Sequence, residues 1–378
     1  MQKIGIYVIA ILALTMGITS CSTEVDLNAP YKSTTIVFGL LDPEADVQYF
    51  KINKTFLGDG NNLTYAAIRD SSEYDWSEFK TLVLEKYVNN VKVQTIALQE
   101  EEVEKDPYGI FFAPYQTVYK ANTPGGLNGN ATYKLVVDFH NRPDVEAVTN
   151  IVNASEVVFQ IPQANYPLNL AAYNSSTGGV TYQDNVTIKW TPASNVAKYD
   201  LTLRFKYLEE KYAENEHINL VSRDTLFMDY YIGAFEAANL ELLGGYLSTS
   251  FGGEGFFSAL KTRLTADPKI KRVIGHENNI NTRAKCFEVI LGMANEELNT
   301  YLAVNAPVTG VIQERPTYTN INNGIGLLAS RSQVIQTNIT LVGSGSQVGN
   351  LYAFGLGEYC AGLNFCDPDP TSDFACGN

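Results

Sequence analysis

The sequence predicts a mainly β protein made of two antiparallel β-sandwich domains. Three observations carry that expectation. Tyrosine is frequent (23 residues) and turn formers abound, with 29 glycines and 14 prolines. Short runs that alternate apolar and polar residues recur between Gly, Asn and Pro turns, while runs with helical spacing are few. The chain, at 378 residues, is also long enough for two domains.

Residues 1–20 read as a signal peptide. Met1-Gln2-Lys3 carries one positive charge, and Ile4 to Met16 is apolar except for Gly5 and Thr15. That run is too short to span a bilayer comfortably. Behind it, Ile18-Thr19-Ser20-Cys21 resembles the bacterial lipobox. The resemblance implies a diacylglyceryl group on the Cys21 thiol, cleavage before Cys21 and acylation of the new amine. Several acyl chains hold a protein stably where one does not. The competing readings are an uncleaved anchor, or an ordinary leader with a chance cysteine. Residues 21–33 form a lipidated tether, whose twelve residues after Cys21 reach about 40 Å at roughly 3.3 Å each. Glu24 and Asp26 match the acidic signal that marks surface lipoproteins in some Bacteroidota.

The first sandwich is expected over residues 34–155. Asp42-Pro43 turns one strand into the next, and "KTLVLEKYVNNVKVQTIAL" is a hairpin about Asn89-Asn90, residues that tolerate positive φ. In "TYKLVVDFH", Tyr133, Leu135, Val137 and Phe139 share one face, while Lys134, Asp138 and His140 share the other with Val136. The second domain is expected over residues 156–342. Its strand ending in Trp190, the Pro192 turn, and the strand carrying Tyr199, Leu201, Leu203 and Phe205 resemble the paired strands of a fibronectin type III domain. A helix-bearing insertion is expected at about 235–302. Phe256, Phe257, Leu260 and Leu264 fall at helical spacing there, Asp267-Pro268 stops the run, and Asn295 caps a second helix. Residues 343–378 read as a Gly/Cys-rich tail.

Four segments in order carry a wider likeness: "IVFGLLDPEADVQYFKINKTF", "GNATYKLVVDF…VEAVTNI", "VTIKWTPA…KYDLTL" and "ANEELNTYLA…PTYTNINNGIGLLAS". Together they resemble a family of Bacteroidota outer-membrane lipoproteins catalogued as a domain of unknown function, often encoded beside SusC-type TonB-dependent transporters. The resemblance implies an outer-membrane location, on the cell surface or the periplasmic face, and an integral outer-membrane protein as partner. It supplies no catalytic residues.

Charge narrows the partners further. The net charge is −14, and removal of residues 1–20 takes away Lys3 and no acid, leaving −15. Such a body is repelled by nucleic acid and by anionic lipid.

The residues offer little chemistry. His276-Glu277-Asn278-Asn279-Ile280 begins like H-E-x-x-H, but Ile280 stands where the second zinc ligand belongs. His140 and His217 read as surface residues. No G-x-S-x-G occurs, and "GSGSQVG" (Gly343–Gly349) lacks the P-loop lysine and reads as a flexible linker that opens no helix. "EEEVEKD" (Glu100–Asp106) reads as a solvated loop rather than a pair of catalytic carboxylates. "DPDPTSD" spaces its oxygens like a calcium loop but lacks the turn glycine and closing glutamate, so no metal and no cofactor is expected.

Beyond Cys21 stand Cys286, Cys360, Cys366 and Cys376, which allow three pairings. Two of the last three are expected to pair, with the third reaching Cys286. The remaining candidates are aromatic. Trp76 either forms a sugar-stacking platform or packs over the edge of the first domain. Tyr246, Phe251, Phe256 and Phe257, among five glycines, either form a mobile docking loop or cap the end of the second domain. The expected function is therefore non-enzymatic: an accessory or binding subunit of a TonB-dependent transporter or other envelope complex. The alternative is a free-standing surface lipoprotein that binds glycan or peptide.

Overall fold

The structure is a computed structural model that describes residues 31–58, 61–275, 285–307, 317–341 and 348–377. The signal peptide, Cys21, His276 and most of Gly343–Gly349 lie outside them. The described residues form a mainly β protein.

The first seven strands are β1 (Thr35–Leu41), β2 (Val47–Lys54), β3 (Phe79–Val88), β4 (Val91–Glu104), β5 (Tyr115–Asn122), β6 (Thr132–Phe139) and β7 (Val145–Asn150). Short helices α1 (Asn62–Ala66) and α2 (Arg69–Ser72) lie between β2 and β3. Asn89 and Asn90 join β3 to β4 with φ of 50° and 63°, the left-handed pair a tight hairpin requires. β4 then makes the sandwich. Val91 to Ala97 pair with β3, whereas Leu98 to Glu104 pair with β5, so one strand leaves the first layer and enters the second. Val37, Phe50 and Tyr119 from one layer meet Leu84, Leu135 and Val137 from the other in a shared buried core. The acidic run expected to be a loop lies mostly on β4. Its side chains alternate outward, and Lys120 and Arg69 neutralise Glu101 and Glu102.

The chain continues through β8 (Phe159–Ile161), β9 (Ala171–Asn174), β10 (Gly179–Tyr182), β11 (Val186–Trp190), β12 (Lys198–Tyr212), β13 (Leu220–Glu236), β14 (Glu241–Leu243) and β15 (Tyr246–Phe251). Helix α3 (Gly253–Arg263), β16 (Ile270–Ile274), β17 (Phe287–Ala294) and helix α4 (Glu296–Asn305) follow. The last elements are β18 (Ile321–Asn322), β19 (Gly324–Ile339), helix α5 (Gly349–Leu356) and β20 (Phe365–Cys366). One layer of the second sandwich has the order β14-β15-β11-β8. In the other, β12 carries β13 on one side, with β17 and β16 end to end on the other.

Trp190 and Tyr199 are fully buried and meet edge-on at 5.4 Å. β11 and β12 do not pair with each other: they lie in opposite layers, and the Trp190 ring fills the gap.

Four expectations need correction. First, residues 235–302 are no insertion. β15 pairs with β11 along the whole of Val186–Trp190, and β17 lies between β12 and β19, so the sandwich cannot close without them. Second, residues 343–378 are no tail. α5 opens at Gly349, and Phe354, Cys360, Leu363 and Phe365 enter the second core, with Phe354 stacked on Phe205 at 5.0 Å. Third, residues 321–330, expected in the second domain of residues 156–342, belong to the first sandwich. β18 pairs with β7, and β19 pairs with β1 from Gly324 to Ser330 before pairing with β17 from Arg331 to Ile339. A single strand therefore belongs to both sandwiches. Fourth, the sheets are not purely antiparallel, because β1–β19 and β16–β20 run parallel. The close β1–β19 contact explains Gly326, which has φ +120° and where a Cβ would stand 1.9 Å from the Val37 carbonyl oxygen. No described helix is long and apolar enough to cross a membrane.

Candidate functional site

Two surface features of the first sandwich stand out, and residues 61–78 help to build the first. This segment crosses the end of the sandwich between β2 and β3. Asp75 pins its last turn with a capping box: its side chain accepts from Ser77 N, while its own N–H donates to Glu78 Oε1. Trp76 is thereby held with its ring against Phe79 (5.9 Å) and nearly parallel to Tyr119 (6.3 Å, 25°), yet 45% of its surface stays exposed. Trp76 thus packs over the edge of the first domain, as one expectation had it, with its ring still exposed.

Beside it lies a cleft of about 500 Å³ whose floor is an ionic network. Buried Glu73 accepts from Lys51 Nζ (3.0 Å), Arg69 Nε (2.9 Å) and Thr117 Oγ1 (2.6 Å). Arg69 also donates to Glu102 (2.8 Å) and to Thr117 Oγ1 (2.7 Å). Burial pushes the Glu73 carboxyl upward, but Thr117, Lys51 and Arg69 outweigh it and hold the group below its ordinary value. Lys51 is pulled down by burial despite Glu73. Tyr119 is fully buried under Trp76, and its hydroxyl makes no hydrogen bond among the described residues. Sequence reasoning singled out Trp76, an aromatic ring in a polar run. It missed Arg69, Glu73 and Thr117, because a bond between residues 44 apart leaves no local pattern.

The second feature is apolar. Ile36, Phe38 and Leu40 share the outer face of β1. Phe38 is paired with Lys51 of β2, and Ile36 with Ile325 of β19. Phe38 (43% exposed), Tyr49 (50%) and Phe111 (48%) remain open, and Ile36, Phe38, Phe56 and Phe111 line a groove of about 420 Å³. The described chain enters beside this groove. The Tyr31 hydroxyl bonds Thr55 Oγ1, Ser33 Oγ donates to the Thr55 carbonyl (2.9 Å), and Thr34 N donates to Thr55 Oγ1 (2.8 Å). Thr55 itself lines the groove.

The other candidate residues fall elsewhere. Tyr246 and Phe251 begin and end β15, each partly buried, and Phe251 packs on Tyr230 at 6.1 Å. Phe256 and Phe257 are completely buried on α3. The expected docking loop is thus a strand and a core helix. Gly253 shows how tightly that helix seats, since a Cβ there would stand 2.0 Å from the Leu170 carbonyl oxygen.

Cys366 and Cys376 form a disulfide, whereas Cys286 and Cys360 are buried free thiols. The expected bond from the third tail cysteine to Cys286 is therefore absent, and both thiols pack as small apolar groups in the second core. Asp367 and Asp369 spend their carboxylates on local turns, accepting from Asp369 N (3.0 Å) and Thr371 N (2.9 Å). Among the described residues, no group of three or more His, Cys, Asp or Glu is placed to hold a metal. His140 is exposed, and His217 lies against Tyr212 at 4.9 Å.

No protein-family model matches the chain, and no curated protein matches it either.

Proposed function

We propose that this protein is a non-enzymatic lipoprotein of the outer membrane, anchored through Cys21, that acts as an accessory subunit docked on an integral outer-membrane protein. The TonB-dependent transporter class is the partner suggested by the lipoprotein resemblance. One observation carries the reading: the apolar groove of Ile36, Phe38, Phe56 and Phe111 is also lined by Thr55, the residue that Tyr31, Ser33 and Thr34 bond where the described chain begins. Contiguous exposed apolar surface marks interaction sites. The nine residues between Cys21 and Tyr31 reach about 30 Å at roughly 3.3 Å each, which keeps this face close to the lipid. We also read the second sandwich as fibronectin type III-like, supported by the buried Trp190 between its layers.

The test is purification of the full-length protein from its own membrane in mild detergent. The parent should co-elute with an integral outer-membrane protein, Phe38→Ser/Tyr49→Ser should lose that companion while keeping its fold, and Cys21→Ala should leave the membrane fraction. A parent that elutes alone removes the accessory reading. The second reading, a free-standing binder of glycan or peptide, is favoured by the exposed Trp76 ring beside a cleft.

A further inference from the structure

We propose that β13 pairs with β13 of a second copy of this chain, independently of any docking on the apolar groove. The strand is 17 residues long and pairs with β12 alone, so its other edge is open among the described residues. The other strands that end a sheet, β8, β9, β10, β14, β18 and β20, are two to four residues long. Long edges in folded proteins are ordinarily blunted by lysine or proline. β13 contains neither, and Leu220, Val221, Phe227 and Tyr231 stand exposed along it.

The direction of the backbone groups can be read from the ladder. Residues of an antiparallel strand alternate between bonding their neighbour and turning away from it. Phe227 stands opposite Lys206, whose N–H goes instead to the Cys286 carbonyl on the far side of β12. Phe227 therefore turns its own N–H and C=O outward. The register runs without a shift from Tyr231 to Ser222, so Arg223, Thr225 and Asp229 turn outward too. The Asp229 carbonyl accepts from Arg263 of α3, and no strand pairs with the rest of this row.

Charge selects a second copy as the occupant, and sets the register. Two copies paired antiparallel about a two-fold axis at Leu226 place Arg223 of each opposite Asp229 of the other, on the same face of the sheet. No other centre that keeps the faces matched sets Arg223 against an acid, and centres at Arg223, Asp224 or Asp229 set like charges face to face, which is unfavourable. Arg223 is already held by Glu210 (2.9 Å) and Asp229 by Arg204 (2.7 and 2.8 Å). Pairing extends these into a row of alternating sign, Glu210, Arg223, Asp229 and Arg204, whose side chains are ordered before contact. The same register sets Val221 against Tyr231 and Thr225 against Phe227, aromatic and β-branched pairs that favour adjacent strands.

Sedimentation of the full-length protein in neutral detergent, over a concentration series, and disulfide trapping test the inference. The parent should form a dimer. Leu226 lies on the axis in a pair without mutual hydrogen bonds, where Cα atoms stand about 4.5 Å apart, within disulfide reach. Leu226→Cys should therefore cross-link to itself under mild oxidation. Ser222→Cys should not, because its two thiols stand about 27 Å apart at roughly 3.4 Å per residue. Cys286 and Cys360 are buried and Cys366 is bonded to Cys376, so the folded body offers no competing thiol. Thr225→Pro removes an outward N–H and should raise the dimer dissociation constant about 30-fold through the two bonds lost by symmetry. A parent that stays monomeric overturns the proposal, as does Leu226→Cys that fails to trap a dimer or traps a different protein in the native membrane. Equal trapping by Ser222→Cys overturns the register, and so does a folded Thr225→Pro variant that dimerises like the parent. If Thr225→Pro unfolds, the two cysteine variants decide.

Discussion

Phe256→Ala asks whether α3 belongs to the core or to a detachable face. The Phe256 ring is fully buried and meets five others: Phe205 at 5.9 Å, Tyr230 at 6.0 Å, Phe257 at 5.1 Å, Phe287 at 5.6 Å and Phe354 at 6.4 Å. Those partners come from β12, β13, α3, β17 and α5, so the ring ties together elements from across the second sandwich. Removing a buried phenyl ring costs about 3–5 kcal/mol. Aromatic contacts add about 0.5–1.5 kcal/mol each beyond area, which places this site near the top of that range. At about 2–4 °C per kcal/mol for a unit of this size, the melting temperature should fall by roughly 10–15 °C. Circular dichroism melts of parent, Phe256→Ala and Tyr246→Ala measure it. Tyr246 is only partly buried at the start of β15, so its truncation should cost far less. Removal of residues 244–255 should unfold the domain, since it deletes β15 from its sheet. The reasoning fails if Phe256→Ala melts within about 2 °C of the parent, or if Tyr246→Ala costs as much.

Two further outcomes follow from the ionisable groups. Held below its ordinary value, Glu73 binds its proton at lower pH in the folded protein than in the unfolded chain. It therefore contributes stability above about pH 4.3, and that contribution is lost as the pH falls through the folded value. Glu73→Gln should be less stable than the parent at pH 7, with the difference closing below about pH 4; denaturant melts that keep one constant gap across both pH values contradict the network. For the thiols, burial pushes Cys286 well above its usual range and Cys360 up to about 12. Neither should react with iodoacetamide in the native protein, and both should alkylate once it is denatured without reductant. A peptide map that joins Cys286 to any other cysteine contradicts the pairing.

What could be read from the sequence was local. The Asn89-Asn90 hairpin, the alternation in β6 and the Asn295 cap of α4 each place their signal within about a dozen residues, and each element stands where its signal put it. Long-range pairing left no such trace. Nothing in "TIVFGLL" says that its neighbour is "GIGLLAS", near the other end of the chain. The acidic run on β4 was misread because an outward-facing strand whose charges are neutralised by Lys120 and Arg69 has the composition of a loop. The final segment was misread for a related reason. Its few large apolar residues cannot form a core, but Phe354 and Phe365 need only join one that β12 and α3 have already built. At the cleft, Trp76 was visible as an aromatic ring among polar residues, and the ions beneath it were not.

The double duty of β19 bears on how the protein is made. A chain synthesised from its N-terminus presents β1 to β7 long before residues 321–330 appear. Until they do, β1 has β2 on one side and nothing on the other, and β7 lacks β18. Exposed strand edges pair readily with other chains. The first sandwich therefore cannot complete its sheet until the late segment of the chain is made. A copy clipped before Gly324 is not a shorter version of this protein: it is two unfinished sandwiches, with β1 and β17 each left with an open edge.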